Sequence, residues 1–167
     1  MAFSSGSDLE PKVQFKFMAP GHLVGTYKAP ATAQDEGTIV KMSSDGETLE
    51  VCGANDGTMI LEQPCAAASP IGTAANREKY LMNVPQKAVA VSTPISVHTI
   101  AKGDIIWTLK LATGSDTGAV IAASVTPGTT EFEFYNGIIR ILQGVNVAKG
   151  VFLTDPDSDG GIDCLFY

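Results

Sequence analysis

Histidine and cysteine are scarce in this 167-residue chain, which holds two of the first and three of the second. Cys52, Cys65 and Cys164 include no CxxC pair, so the spacing of a zinc site is missing. An odd cysteine count, with no basic stretch followed by an apolar run at residues 1–6, fits reduced thiols in a protein made in a cytoplasm. Long apolar runs are missing as well. Stretches such as residues 88–91 and 119–123 fall far short of the roughly 20 residues that cross a bilayer, so no membrane partner is expected. A Gly-rich phosphate loop of the Walker or Rossmann kind is not present. Positive charge is in deficit: the net charge is −7, and the basic residues are scattered without interleaved aromatics. Such a chain repels a phosphate backbone, so nucleic acid is not an expected partner. No long amphipathic helix can be traced, and no cofactor is implied.

What the chain has is turn and strand chemistry. Seventeen glycines and nine prolines punctuate stretches rich in Val, Ile and Thr. Residues 38–42 and 47–52 flank Ser43-Ser44-Asp45-Gly46, and Asp-Gly favours a two-residue type I′ turn. With Asp45-Gly46 at the tip, Met42 faces Leu49, Val40 faces Val51 and Lys41 faces Glu50, while Cys52 lies opposite Ile39. One side is apolar and the other carries an opposite-charge pair worth roughly 0.2–1 kcal/mol. A second hairpin follows the same logic: residues 131–135 and 138–142 flank Asn136-Gly137. Its register sets Phe134 against Ile139, Phe132 against Ile141 and Glu133 against Arg140. A third hairpin is expected between residues 105–111 and 119–125. Residues 92–98 read as a strand interrupted by Pro94, and a short helix is expected within residues 66–68 and 74–80. The expected fold is therefore mainly β, a small antiparallel barrel or sandwich with an extended N-terminal arm.

The arm is residues 1–37, where Pro11, Pro20 and Pro30 interrupt regular structure. Lys12, Lys16 and Lys28 outnumber Asp8 and Glu10 over residues 1–30, a net of +1, which leaves −8 on the remainder. Within the arm Val13–Phe17 alternates apolar and polar residues as a short strand does, and an ordinary first strand of the domain is the alternative reading. Phe3, Phe15, Phe17 and Tyr27 are the residues expected to meet the body or a partner. The body is residues 38–167, in which residues 53–100 read as a loop-rich lobe.

Candidate chemistry is thin. Asp116-Thr117-Gly118-Ala119 matches the core of aspartic proteases, whose paired carboxylates share a proton. Gly114 and Ser115 interrupt the strand that should precede it and no second copy exists, so an exposed loop is the expected reading. Asp155, Asp157, Asp159 and Asp163 fit the first nine positions of a calcium loop, but Phe166 stands where the bidentate Glu belongs. His22 and His98 have no acid placed in sequence to form a triad. Trp107 and the aromatic strand 132–135 are candidates for a sugar cleft, though at strand spacing they read as core.

Taken together, the Pro- and Gly-rich arm, the hairpin from Gly37-Thr38-Ile39-Val40-Lys41 to Asp45-Gly46, the units Lys102-Gly103-Asp104-Ile105-Ile106 and Lys149-Gly150-Val151-Phe152-Leu153-Thr154, and a terminal strand over residues 162–167 resemble phage capsid decoration (cement, head-stabilisation) proteins. The likeness spans most of residues 20–167 and rests on organisation rather than on a motif. It implies a non-catalytic structural protein, made in a bacteriophage's host cytoplasm and located on the capsid exterior of the virion. Its partner would be the major capsid protein, which it would clamp as a homotrimer. A tail or head-completion protein is the alternative within the same class.

Overall fold

A computed structural model describes residues 12–66 and 89–167. In chain order its strands are β1 (Val13–Phe17), β2 (Val24–Lys28), β3 (Ile39–Met42), β4 (Leu49–Val51), β5 (Met59–Leu61), β6 (Cys65–Ala66), β7 (Val89–Ala90), β8 (Pro94–Thr99), β9 (Ile105–Thr108), β10 (Glu131–Tyr135), β11 (Ile138–Ile141), β12 (Gly150–Phe152) and β13 (Ile162–Phe166), with a 3-10 turn at Ala122–Ser124. A six-stranded antiparallel sheet runs in the order β1-β9-β13-β12-β10-β11, and a five-stranded one in the order β2-β8-β5-β3-β4. The strands β6 and β7 form a short parallel pair. The two large sheets pack as a sandwich, so the fold is mainly β, as the turn and strand chemistry requires.

Alternation along the strands builds the core between the sheets. Phe132 and Phe134 of β10, Phe152 of β12, and Ile162, Cys164 and Phe166 of β13 all point inward and are buried. The Phe132 ring lies 5.2 Å from both Phe152 and Phe166. Burying a side chain of this size contributes about 1.5–3 kcal/mol. Ile39 and Ile60, paired across β3 and β5, enter the same core from the five-stranded sheet. The other face of that sheet carries a second core of Val40, Leu49, Met59, Leu61, Ile95 and Val97, joined by Ala29 and Cys65. Its middle strands are thus buried on both faces. That is why Met59-Ile60-Leu61 is an unbroken apolar run with no alternation to read.

Both predicted hairpin registers are present. Val40, Lys41 and Met42 face Val51, Glu50 and Leu49; Phe132, Glu133 and Phe134 face Ile141, Arg140 and Ile139. The turns differ in kind. Asn136 and Gly137 both take left-handed φ, 49° and 81°, as a type I′ turn demands. At the first hairpin only Gly46 does so, at 73°, and the expected type I′ turn is replaced by a wider loop. There the Asp45 carboxylate accepts from the Glu47 and Thr48 N–H groups at 2.9 and 2.8 Å, which organises the loop around a side chain instead.

The third hairpin does not form. β9 lies between β1 and β13. The residues after it close a loop through Val120 N–H to the Ala112 carbonyl at 2.8 Å. The two Lys-Gly segments end up on either side of β13, with Ile105 and Val151 both opposite Leu165. Pro94 opens β8 rather than interrupting it. Met59–Leu61 and Pro94–Thr99, inside the stretch expected as a loop-rich lobe, are interior strands of the five-stranded sheet. Of the stretches expected as helix, Ala66 is instead the end of β6, and residues 67–68 and 74–80 lie outside the described residues. Of the arm, residues 12–37 give each sheet an edge strand: β1 to one and β2 to the other.

Candidate functional site

The segment from β1 to β2 crosses between the sheets, and a buried polar chain fixes the crossing. Its anchor is Asp104, in the loop between β8 and β9, which is wholly buried. A carboxylate so placed requires donors, and three converge on it. Ala19 N–H reaches Oδ1 at 2.8 Å; Ala101 N–H and His22 Nδ1 reach Oδ2, each at 2.8 Å. His22 N–H closes a turn onto the Ala19 carbonyl at 3.1 Å. The far nitrogen of His22, Nε2, stands 2.7 Å from Nδ1 of His98 on β8. Phe15 of β1 stacks on the His98 ring with 3.8 Å between centroids. The chain ends at Glu62, whose Oε2 lies 3.5 Å from His98 Nε2. Burial pushes the His98 imidazole below its ordinary value, with Glu62 opposing the shift and His22 adding to it. The relay leads from carboxylate through two imidazoles to a second carboxylate, and its work in this structure is to hold residues 18–24 in place.

On the solvent side of the same segment the chemistry is apolar. Phe17, Met18, Leu23 and Val24 are 54, 53, 65 and 62% exposed, within eight consecutive residues. Single exposed apolar residues, such as Ile121 and Val145 elsewhere on the surface, are ordinary, but four large ones within eight positions are not. Among the described residues β1 and β2 are the outermost strands of their sheets. Lys28 of β2 bridges Thr48 on the outer side and the Val13 N–H of β1 goes to the Glu36 carboxylate, while beside Phe17 and Val24 no further strand is paired. An open groove of about 480 Å³ lies at the far end of β2, between Tyr27, Lys28, Glu47 and Pro94.

The sequence-predicted residues divide accordingly. Phe17 belongs to the exposed run. Phe15 is half-buried against His98, and Tyr27 is half-buried against the second core, so both meet the body. Phe3 lies outside the described residues. Met18, Leu23 and Val24 were not singled out in the sequence, although the density of large apolar residues over positions 15–27 was there to be read. The histidine relay had no local signal, because its two rings stand 76 positions apart.

The calcium candidates are not gathered by the fold. Asp163 pairs with Lys16 at 2.7 Å. Asp157 accepts from Trp107 Nε1 at 2.8 Å and from the Asp159 and Gly161 N–H groups at 3.0 and 2.9 Å. Desolvation works against its charge, yet the Trp107 indole and these backbone donors hold the Asp157 carboxyl below its ordinary value. Among the described residues no three His, Cys, Asp or Glu side chains are placed to hold a metal ion. The aromatic cleft is likewise not formed: Phe132 and Phe134 are core, and the turn at Gly161 packs on the Trp107 ring. Asp116 lies in an exposed loop, its carboxylate taking the Thr113 N–H at 3.1 Å. No helix of the described residues is long and apolar enough to cross a membrane. Comparison with family models, with curated proteins and with solved structures finds no match.

Proposed function

We propose that this is a non-catalytic structural protein that docks on other protein surfaces through residues 13–28, and specifically a phage capsid decoration protein that clamps neighbouring copies of the major capsid protein. The observation that carries the reading is the exposed run Phe17, Met18, Leu23 and Val24 from the end of β1 to the start of β2, the outermost strands of their sheets, where no further strand is paired beside Phe17 and Val24. Apolar side chains supply the burial and an unpaired strand edge supplies main-chain donors and acceptors, the two ingredients of strand addition. As a homotrimer, each particle would present this edge three times, and weak contacts would sum through avidity. Binding that favours the assembled shell over free subunits stabilises the shell by mass action.

The test is co-sedimentation with expanded phage capsid shells. The full chain pellets with the shell, and a Leu23→Ser/Val24→Ser variant with an unchanged circular-dichroism spectrum stays in the supernatant. A full-length chain that pellets with no shell removes the decoration reading, and a doubly substituted chain that still pellets removes the assignment to this segment.

A further inference from the structure

We propose that the His22–His98 contact is a proton-operated latch, closed while the pair carries at most one extra proton and opened, with release of residues 18–24, when both facing nitrogens are protonated. At 2.7 Å one nitrogen must donate and the other accept. His22 Nδ1 is committed to Asp104, so in the closed, neutral pair His22 Nε2 is the acceptor and His98 Nδ1–H the donor. The open end is His98 Nε2, which is buried, has no hydrogen-bond partner, and faces Glu62 Oε2 at 3.5 Å.

The two protonation steps therefore differ in kind. A first proton on His98 Nε2 makes an imidazolium that donates to His22 at one end and to Glu62 at the other. No contact breaks. A second proton has only His22 Nε2 to go to. Two N–H groups then point at each other, and two positive rings stand with centroids 5.0 Å apart. The contact parts, and with His22 goes the turn to Ala19 that the Asp104 carboxylate anchors. The charged groups bearing on the pair are Asp104 from the β8–β9 loop and Glu62 after β5; β1 contributes the uncharged Phe15 ring. Burial holds the His98 imidazole below its ordinary value, which disfavours the doubly protonated pair near neutrality.

The latch is a property of the fold alone. Its consequence for binding rests on the docking reading above: the same residues carry Met18, Leu23 and Val24, so opening dissolves the fixed edge that would be presented to a partner.

The experiment needs no partner. Amide exchange of the full chain, corrected for intrinsic rates, is followed by NMR from about pH 7.5 to about pH 4.5, and the side-chain nitrogens of the two histidines are followed in parallel. An opening that takes up one proton loses protection about tenfold per pH unit, and that loss is expected at Ala19, His22 and Leu23 while Phe132 and Phe134 stay protected. Two variants bound the interpretation. His98→Gln keeps a donor toward His22 but takes up no proton, so the segment's pH dependence flattens. Glu62→Gln, a change at a half-exposed side chain, removes the carboxylate that stabilises a protonated His98, so the doubly protonated pair forms less readily and the loss moves to lower pH. Unchanged protection of residues 19–23 across the range, or the same pH dependence in both variants as in the parent, overturns the latch. Since no shell is present, failure here is separate from failure of co-sedimentation.

Discussion

Glu133 and Arg140 face each other across the β10–β11 hairpin, with Arg140 Nε 2.8 Å from Glu133 Oε1. Glu133 is 1% exposed, and Asn55 Nδ2 donates to its other oxygen at 3.2 Å. The guanidinium also covers the Tyr135 ring at 3.7 Å. A carboxylate this deep depends on its cation, and removing one partner of such a pair costs about 3 kcal/mol. Arg140→Ala is expected to lower the unfolding free energy measured in urea by that amount. Replacing both residues, Glu133→Leu with Arg140→Met, recovers most of the loss. A single variant within about 0.5 kcal/mol of the parent would show the pair to be dispensable.

The three cysteines are buried and unpaired. Burial raises the pKa of each thiol, most strongly at Cys164, so at mildly alkaline pH they remain protonated and unreactive. A thiol-specific chromogenic reagent is expected to label none of them in the native protein and all three in urea. Rapid native labelling at any one would contradict its burial.

Gly150 is a packing requirement. A Cβ there would overlap the Phe132 ring and the Leu165 carbonyl. Gly150→Ala is expected to cost about 3 kcal/mol, since backbone and a core ring cannot both give way. Gly53 makes the contrast, because a Cβ there meets only the Asp56 carboxylate, at 3.7 Å. Gly53→Ala should stay within about 0.5 kcal/mol of the parent by thermal melting.

The Asp45 carboxyl is held down to about 2 by the N–H groups of Thr48 and Glu47. A depressed acid supports the fold above its unfolded value and ceases to do so as pH falls through its folded one. Stability is therefore expected to decline between about pH 4 and about pH 2, and Asp45→Ala to flatten part of that decline. Titration of the Asp45 carboxyl carbon by NMR checks the value directly, and an ordinary midpoint would mean that the loop is not organised by this side chain.

The two hairpin registers were legible because a turn tip fixes the pairing and alternation fixes the faces, as at Glu133 and Arg140. The pairing of β9 with β1 and β13 was not, because β1 and β9 meet across some ninety positions with no turn between them to set the register. Met59–Leu61 gave no alternation because both its faces are buried. The histidine relay was invisible for a related reason: His22, His98 and Asp104 look isolated until two sheets bring them together. At the exposed run the residues were in plain view, but hydrophobicity alone does not say which side of a strand meets water.

β13 sits in the interior of the six-stranded sheet, with β9 on one side and β12 on the other. Until the ribosome has delivered Ile162–Phe166, those two neighbours have a gap between them where a strand should be, and each shows unpaired backbone to its surroundings. A nascent or truncated chain that stops short of this strand is thus a sheet in two halves, and its stickiness would come from the missing middle rather than from any outer edge.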